Sequence, residues 1–432
     1  MIQTLQGLFG IAVFILIALC LSTKRSQVKW KIVFIGLFLQ WGLALLVLGI
    51  PKLGFNGPAQ FLFAKANSAI LAILKFTEVG SNFILGDLAL SDQSGFILAF
   101  QILPIIIFLS SLMAVLYHLG VMQLVVNSFA WLMQKTLHLS GAESLAAAAN
   151  VFVGQTEAPL VIKPYLKKMT SSELFALMTG GMATIAGSVM AAYVGILKDV
   201  IPNIGGHLLT ASVLSAPAAL VIAKIMVPET ETPETLGSIP KDKTKEHINV
   251  IEAAAAGASD GMKLAINVAA MLLAFIALIA LFDALLIGFG NFIGFPSWSS
   301  AIGIPLIDGS PPQLSLTLLL SFLFRPIAFC LGLPWNELGL AAGLIGKKIV
   351  FNEFIAYLDL ASMKDSLQPR SLIILSYGLC GFANFSSIAI QLGGIGPLIP
   401  ERRQELARFG LRTVIGGNLA AFTTAALASL LV

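Results

Sequence analysis

The stretch Asn150-Val-Phe-Val-Gly-Gln-Thr-Glu-Ala-Pro-Leu160 places an amide, a hydroxyl and a carboxylate inside an apolar run. Glu157 has no cation beside it, and an ionised carboxylate at membrane depth costs at least ~2.5 kcal/mol. Gly154 and Pro159 break the helix around it. Non-helical backbone persists at that depth only inside protein or beside a water-filled cavity. The segment therefore reads as the tip of a hairpin that binds a polar solute. A loop at the membrane surface is the competing reading.

The flanks make this a membrane question. Of 432 residues, 57% are hydrophobic and 11% charged, where soluble domains carry about 25% charge. The runs 5–22, 32–50, 97–117, 208–223, 264–282 and 413–432 approach or exceed the length of a spanning helix. The net charge of +4 is small and its basic residues are scattered, which argues against nucleic-acid binding. Cys20, Cys330 and Cys380 lie in apolar runs without metal-ligand spacing. The first apolar run precedes Lys24 and Arg25, opposite to a cleaved signal peptide, so it reads as a first spanning helix with its N-terminus outside. The regions 24–31, 135–168, 224–245 and 402–412, with four basic residues each, are then cytoplasmic. Lys347, Lys348, Lys364 and Arg370 conflict with that rule, and an amphipathic stretch along the outer interface would accommodate them.

A repeat organises the chain around the polar linker Pro228–Asn249. Gly181-Met-Ala-Thr-Ile-Ala-Gly-Ser188 resembles Gly381-Phe-Ala-Asn-Phe-Ser-Ser-Ile388 at an offset of 200 residues (381 − 181). Each follows a broken segment holding an acid: Val153–Pro159 in the first half, Gly332-Leu-Pro-Trp-Asn-Glu337 in the second. Two spanning helices separate the copies. If both broken segments are re-entrant, the copies run in opposite directions, a plan whose substrate site lies at the midplane. The expected fold is an all-α polytopic membrane protein. It has about eight transmembrane helices plus two re-entrant hairpins, in an inverted repeat with scaffold and transport domains. Residues 1–120 are expected to supply scaffold helices and 121–227 the first transport repeat. Residues 228–317 are then the cytoplasmic linker and long scaffold helix, and 318–432 the second transport repeat.

Asn384 and Ser387 sit mid-span, where small and hydroxyl residues also serve as packing glue. Packing explains Gly381 and Ala383 well, but an amide seeks up to four partners, which favours Asn384 as a ligand. Thr184 is a weaker oxygen donor to an ion. Asp283 and Glu353 read as background, Glu353 as a surface acid near two lysines. No nucleophile elbow, metal-binding helix or phosphate loop is present in the sequence, so an enzyme using Glu157 and Glu337 as acid and base lacks a supporting constellation.

Gly154-Gln-Thr-Glu-Ala-Pro-Leu160, Pro334-Trp-Asn-Glu337, Val350-Phe-Asn-Glu-Phe354 and Cys380-Gly-Phe-Ala-Asn-Phe-Ser-Ser-Ile-Ala-Ile390 together resemble the concentrative nucleoside transporter family. The Gly-Gln-Thr-Glu-Ala-Pro form resembles its bacterial sodium-coupled members. The resemblance implies a homotrimer in the bacterial cytoplasmic (inner) membrane that imports nucleosides such as uridine with sodium by an elevator mechanism. Proton coupling is the alternative. It further implies that Gln155, Thr156 and Glu157 meet the nucleobase, with Val189 shaping the base pocket. Glu337, Asn384 and Ser387 would hold the ribose and Phe382 pack against the nucleoside. Sodium, the transported coupling ion, would take Asn150, Thr184 and the carbonyls of Val153 and Ile185. Thr184 stands where the family usually has serine, and Ser188 and Met190 depart from its Gly and Leu.

Overall fold

The computed structural model describes residues 2–51, 54–89, 95–237, 247–301 and 312–432. Lys241, Lys243 and Lys245, expected on the cytoplasmic side, lie outside the described residues. Within them the chain is helical, without a β-strand. Among the described residues, eight stretches are long and apolar enough to cross a membrane. Six coincide with the apolar runs above. The other two are Gln60–Ala89, whose Lys65, Lys75 and Glu78 hide its apolar character in sequence, and Ser171–Leu197.

The principal helices are α1 (Ile2–Cys20), α2 (Trp30–Leu48), α3 (Gln60–Leu85), α4 (Leu103–His118), α5 (Val121–Leu137), α6 (Gly141–Asn150), α7 (Ser171–Ala183) and α8 (Gly187–Leu197). There follow α9 (Ile204–Met226), α10 (Val250–Phe292), α11 (Leu316–Cys330), α12 (Leu338–Val350), α13 (Glu353–Ser362), α14 (Pro369–Leu379), α15 (Phe385–Ile395) and α16 (Arg403–Leu431).

The repeat is visible as packing. In the first half α5 packs on α6, the chain breaks at 151–157, and α7 and α8 form a helix interrupted at 184–186 before α9. In the second half α11 packs on α12, the chain breaks at 351–352, and α14 and α15 form a helix interrupted at 380–384 before α16. In the most apolar 18-residue windows of the spans built on α9 and α16, 89% and 94% of the residues are buried, against 6% in that of α10. The core therefore lies in the repeats, and α10 runs along the outside against α4. Helices α1 and α2 pack on α16 and α9. The apolar faces of α1 and α2 thus find partners in the repeats.

Polar side chains pin one end of the bundle. Ser140 and Glu143 form a capping box at the start of α6, and Thr170 and Glu173 form one at the start of α7, satisfying amides that a helix start leaves open. Ser140 Oγ also donates to Glu173. Lys224, 4% exposed, joins them through Glu143 Oε2 at 2.7 Å and Glu229 Oε2 at 3.3 Å. Basic clusters gather at this end: Thr23 N donates to Met226 O at 2.9 Å, Lys168 meets Glu234 at 2.8 Å and Lys167 meets Glu401 at 3.1 Å. At the other end Arg370 donates to Gly332 O at 3.0 Å and to Val432 O at 3.2 Å, beside the start of α1.

Candidate functional site

Two chain breaks meet in the core. Gly381 holds φ +119°, a backbone conformation that glycine adopts without penalty. A methyl group there would lie 2.8 Å from the carbonyl oxygen of Ala183, so glycine lets the two interrupted helices touch. Phe382 N donates to Thr184 O at 3.3 Å, and Gly187 N donates to Phe152 O at 2.8 Å. The first tip, the first break and the second break thus form one continuous backbone cluster.

Asn384 is the N-cap of α15. Its Oδ1 accepts from Ser387 N at 2.9 Å and Ser386 Oγ at 2.7 Å, so the break places the amide nitrogen where it donates to Glu353 Oε2 at 2.9 Å. Asn352 caps α13 in the same way, accepting from Ile355 N at 2.9 Å, and so sets Glu353 in the first turn, where the helix dipole favours an acid. Tyr193 of α8 donates to the other oxygen, Glu353 Oε1, at 2.6 Å. Gln155 Nε2 donates to Ser387 Oγ at 3.2 Å, which joins the first tip to α15, while Gln155 Oε1 has no protein partner. Thr156 abuts α15, where a methyl group on Gly394 would lie 2.6 Å from its Cγ2. Val189 is buried in the first turn of α8, and Phe382 is half-buried. Glu157 is exposed in the single chain.

Asn150, at the end of α6, is 1% exposed, and neither its Oδ1 nor its Nδ2 has a protein partner. It lies beside α7, with Nδ2 3.3 Å from a methyl group built on Gly180. Thr184 Oγ1 donates to Gly180 O at 2.9 Å, which leaves its lone pairs to accept. An unpartnered buried amide is costly. Asn150 lies beside Gly180, whose carbonyl accepts from Thr184 Oγ1, in the half-helix that breaks at 184–186. Such a set of neutral oxygens suits a small hard cation.

Glu337 does not join this cluster. Its Oε1 accepts from Gln368 N at 3.0 Å, and its loop, 331–337, connects α11 to α12 beside Arg370, the start of α1 and the end of α16. Trp335 in that loop is 74% exposed. Helix ends collect there, so the loop is at an end of the bundle and not at its middle. Glu337 is 3% exposed, its Oε2 has no protein partner, and it lies apart from the hydrogen-bonded cluster of Gln155, Asn384 and Ser387. Glu353, which the sequence reading set aside as superficial, is the acid hydrogen-bonded into the cluster. Its signal was in the sequence all the same: Glu353 belongs to Val350-Phe-Asn-Glu-Phe354, one of the four motifs that carry the resemblance. Lys348, expected at an interface, is fully buried.

Known proteins resemble this chain over its whole length. Family models described as the Na+ dependent nucleoside transporter N-terminus and C-terminus match residues 9–88 and 207–429, and one described as nucleoside recognition matches 99–200. An uncharacterized transporter of Haemophilus influenzae is 43% identical, covering all of this chain and 98% of that protein. Solute carrier family 28 member 3 of Homo sapiens is 37% identical over 99% of this chain, which spans 60% of its length. The solved structure of CNTnw in an inward-facing substrate-bound state matches with a TM-score of 0.87 at 40% identity, covering 100% of this chain and 98% of the other. A CNTnw variant in an outward-facing state matches with a TM-score of 0.86 at 39% identity, covering 99% and 97%. The chain belongs to the Na+-dependent, concentrative nucleoside transporter family, whose members are transporters and not enzymes.

Proposed function

We propose that this chain imports nucleosides across the bacterial cytoplasmic membrane, coupled to sodium. The observation that carries the reading is Asn150: a buried amide with both polar atoms unpartnered, at the end of α6 and beside the half-helix whose own break holds Thr184 and Ile185. Val153, in the same tip, contributes a further carbonyl. A cation there fixes the tip that holds Gln155 and Thr156 against α15. A nucleobase edge alternates donors and acceptors, and Gln155 and Thr156 supply both kinds. Glu157 borders the same tip, and Val189 and Phe382 offer apolar contact to the flat base and sugar. Glu353 takes the ribose role expected of Glu337: its carboxylate, held by Tyr193 and Asn384, accepts from a vicinal diol, with Asn384 and Ser387 beside it.

The repeats form the moving body and α3, α4 and α10 the frame of a homotrimeric elevator. The support is the division between deeply buried repeat helices and the exposed α10. The test is uridine uptake into proteoliposomes with and without an inward sodium gradient at constant pH. Sodium-dependent accumulation is expected. Undiminished uptake without sodium, stimulated instead by a proton gradient, ends the sodium reading in favour of proton coupling.

A further inference from the structure

The half-helices of the two repeats start at an offset of 198 (171 and 369, 187 and 385), and the longer second break accounts for the motif offset of 200; at the helix offset 150 + 198 = 348, 180 + 198 = 378 and 185 + 198 = 383. The correspondence pairs Asn150 with Lys348, Gly180 with Gly378 and Ile185 with Ala383. It holds in space as well as in number. Asn150 lies beside Gly180 at the end of the first interrupted half-helix. Lys348 donates from Nζ to Gly378 O at 3.1 Å, at the end of the second. Lys348 is 0% exposed, and its ammonium stands 5.5 Å from the centre of the Phe422 ring. Among the described residues no carboxylate forms an ion pair with it, and Glu353 is held by Tyr193 and Asn384. The second carbonyl of the set is also taken: Ala383 O accepts from Asn418 Nδ2 at 2.8 Å.

A helix that stops inside a protein leaves its last carbonyls without partners, and they form the negative end of its dipole. Both α7 and α14 stop this way. The first repeat meets the carbonyls with an uncommitted amide and a hydroxyl, which complete a cage only when an ion enters. The second meets them with an ammonium on its own stem. A buried cation without an ion-paired carboxylate is costly, and the Gly378 carbonyl, the face of Phe422 and the nearby charge of Glu353 offset the cost here.

We propose that the Lys348 ammonium is a tethered counterpart of the sodium ion, occupying the second repeat's equivalent of the ion position. Two consequences follow. The second repeat has no vacancy for a transported ion, so one sodium accompanies each nucleoside. The ribose side of the site, at Glu353, Asn384 and Ser387, is ordered without sodium, whereas the base side, at Gln155 and Thr156, is ordered by it. The inference rests on the sodium reading of the first repeat.

The test is parallel flux of radiolabelled sodium and uridine into voltage-clamped proteoliposomes holding the unaltered protein, with two variants beside it. The expected ratio is one sodium per uridine, with a Hill coefficient of one for sodium. Lys348→Met is expected to weaken uridine affinity at saturating sodium by at least about tenfold. Lys348→Asn, which copies the first repeat, is expected to raise the Hill coefficient above one. Two sodium ions per uridine in the unaltered protein overturn the proposal whether or not the variants fold. So does a Lys348→Met protein with unchanged affinity and coupling, or a Lys348→Asn protein whose Hill coefficient stays at one. Uridine uptake with no accompanying sodium flux is a separate result: it removes the sodium reading, and the proposal with it.

Discussion

At the residue scale, two acids separate function from scaffolding. In Glu353→Gln the new amide nitrogen cannot accept from Tyr193 or Asn384, so one of the two hydrogen bonds fails. Bonds to a charged group contribute ~1.5–3 kcal/mol each, which corresponds to a roughly ten- to hundredfold loss of uridine affinity. Glu337→Gln keeps an oxygen to accept from Gln368 N and should leave uridine affinity unchanged. Equilibrium binding of labelled uridine to both variants checks the contrast, and equal losses would return Glu337 to the site. The contrast also shows what was legible beforehand. Asn384 and Ser387 stood out because amides and hydroxyls are rare mid-span. Glu353 did not, because two lysines nearby gave it the local look of a surface residue. Only the fold reveals that Lys348 points inward and that Asn352 caps a helix in the core.

At the element scale, the interrupted helices depend on one close approach. Gly381→Ala adds a methyl group 2.8 Å from Ala183 O at a φ of +119°. The backbone penalty alone is ~1–3 kcal/mol, and the clash adds to it by forcing the two breaks apart. A lower apparent melting temperature in detergent and loss of uptake are expected together. Lys224→Met tests a different joint. It leaves Glu143 buried without its cation, which costs ~3–5 kcal/mol, so the melting temperature should fall while the protein that folds keeps its uridine affinity. Reduced affinity at full stability would place the Lys224 cluster in the transport cycle instead. The repeat and both breaks were readable from Gly, Pro and hydroxyl spacing. In the second half Gly332-Leu-Pro334, the turn between α11 and α12, punctuates the sequence more strongly than the break at Phe351-Asn352, which therefore went unread. Helix α3 was missed since three charged residues interrupt its apolar run, which its packing against α9 tolerates.

At the scale of the whole molecule, a transporter that couples one cation to a neutral solute has a ceiling. A charge crossing about 100 mV yields ~2.3 kcal/mol, enough for roughly fifty-fold accumulation before any ion gradient is added. Voltage-clamped vesicles with equal sodium on both sides should approach that ratio, and a plateau at equal concentrations would identify a passive pore. Native mass spectrometry should show three copies of the 45.7 kDa chain; a monomer as the only species would rule out the trimer.

Helix α10 bears on how the protein sits among its lipids. After Lys263 it runs from Leu264 to Phe292 without a basic residue and with Asp283 as its lone acid. At 1.5 Å per residue that segment is about 43 Å long, against a hydrocarbon layer of about 30 Å. Kept wholly in hydrocarbon, it has to lean by roughly 45° from the membrane normal, steeper than the usual ~20°. A strut so inclined changes its slant whenever the bilayer thins or thickens. Turnover in vesicles should therefore vary with acyl-chain length.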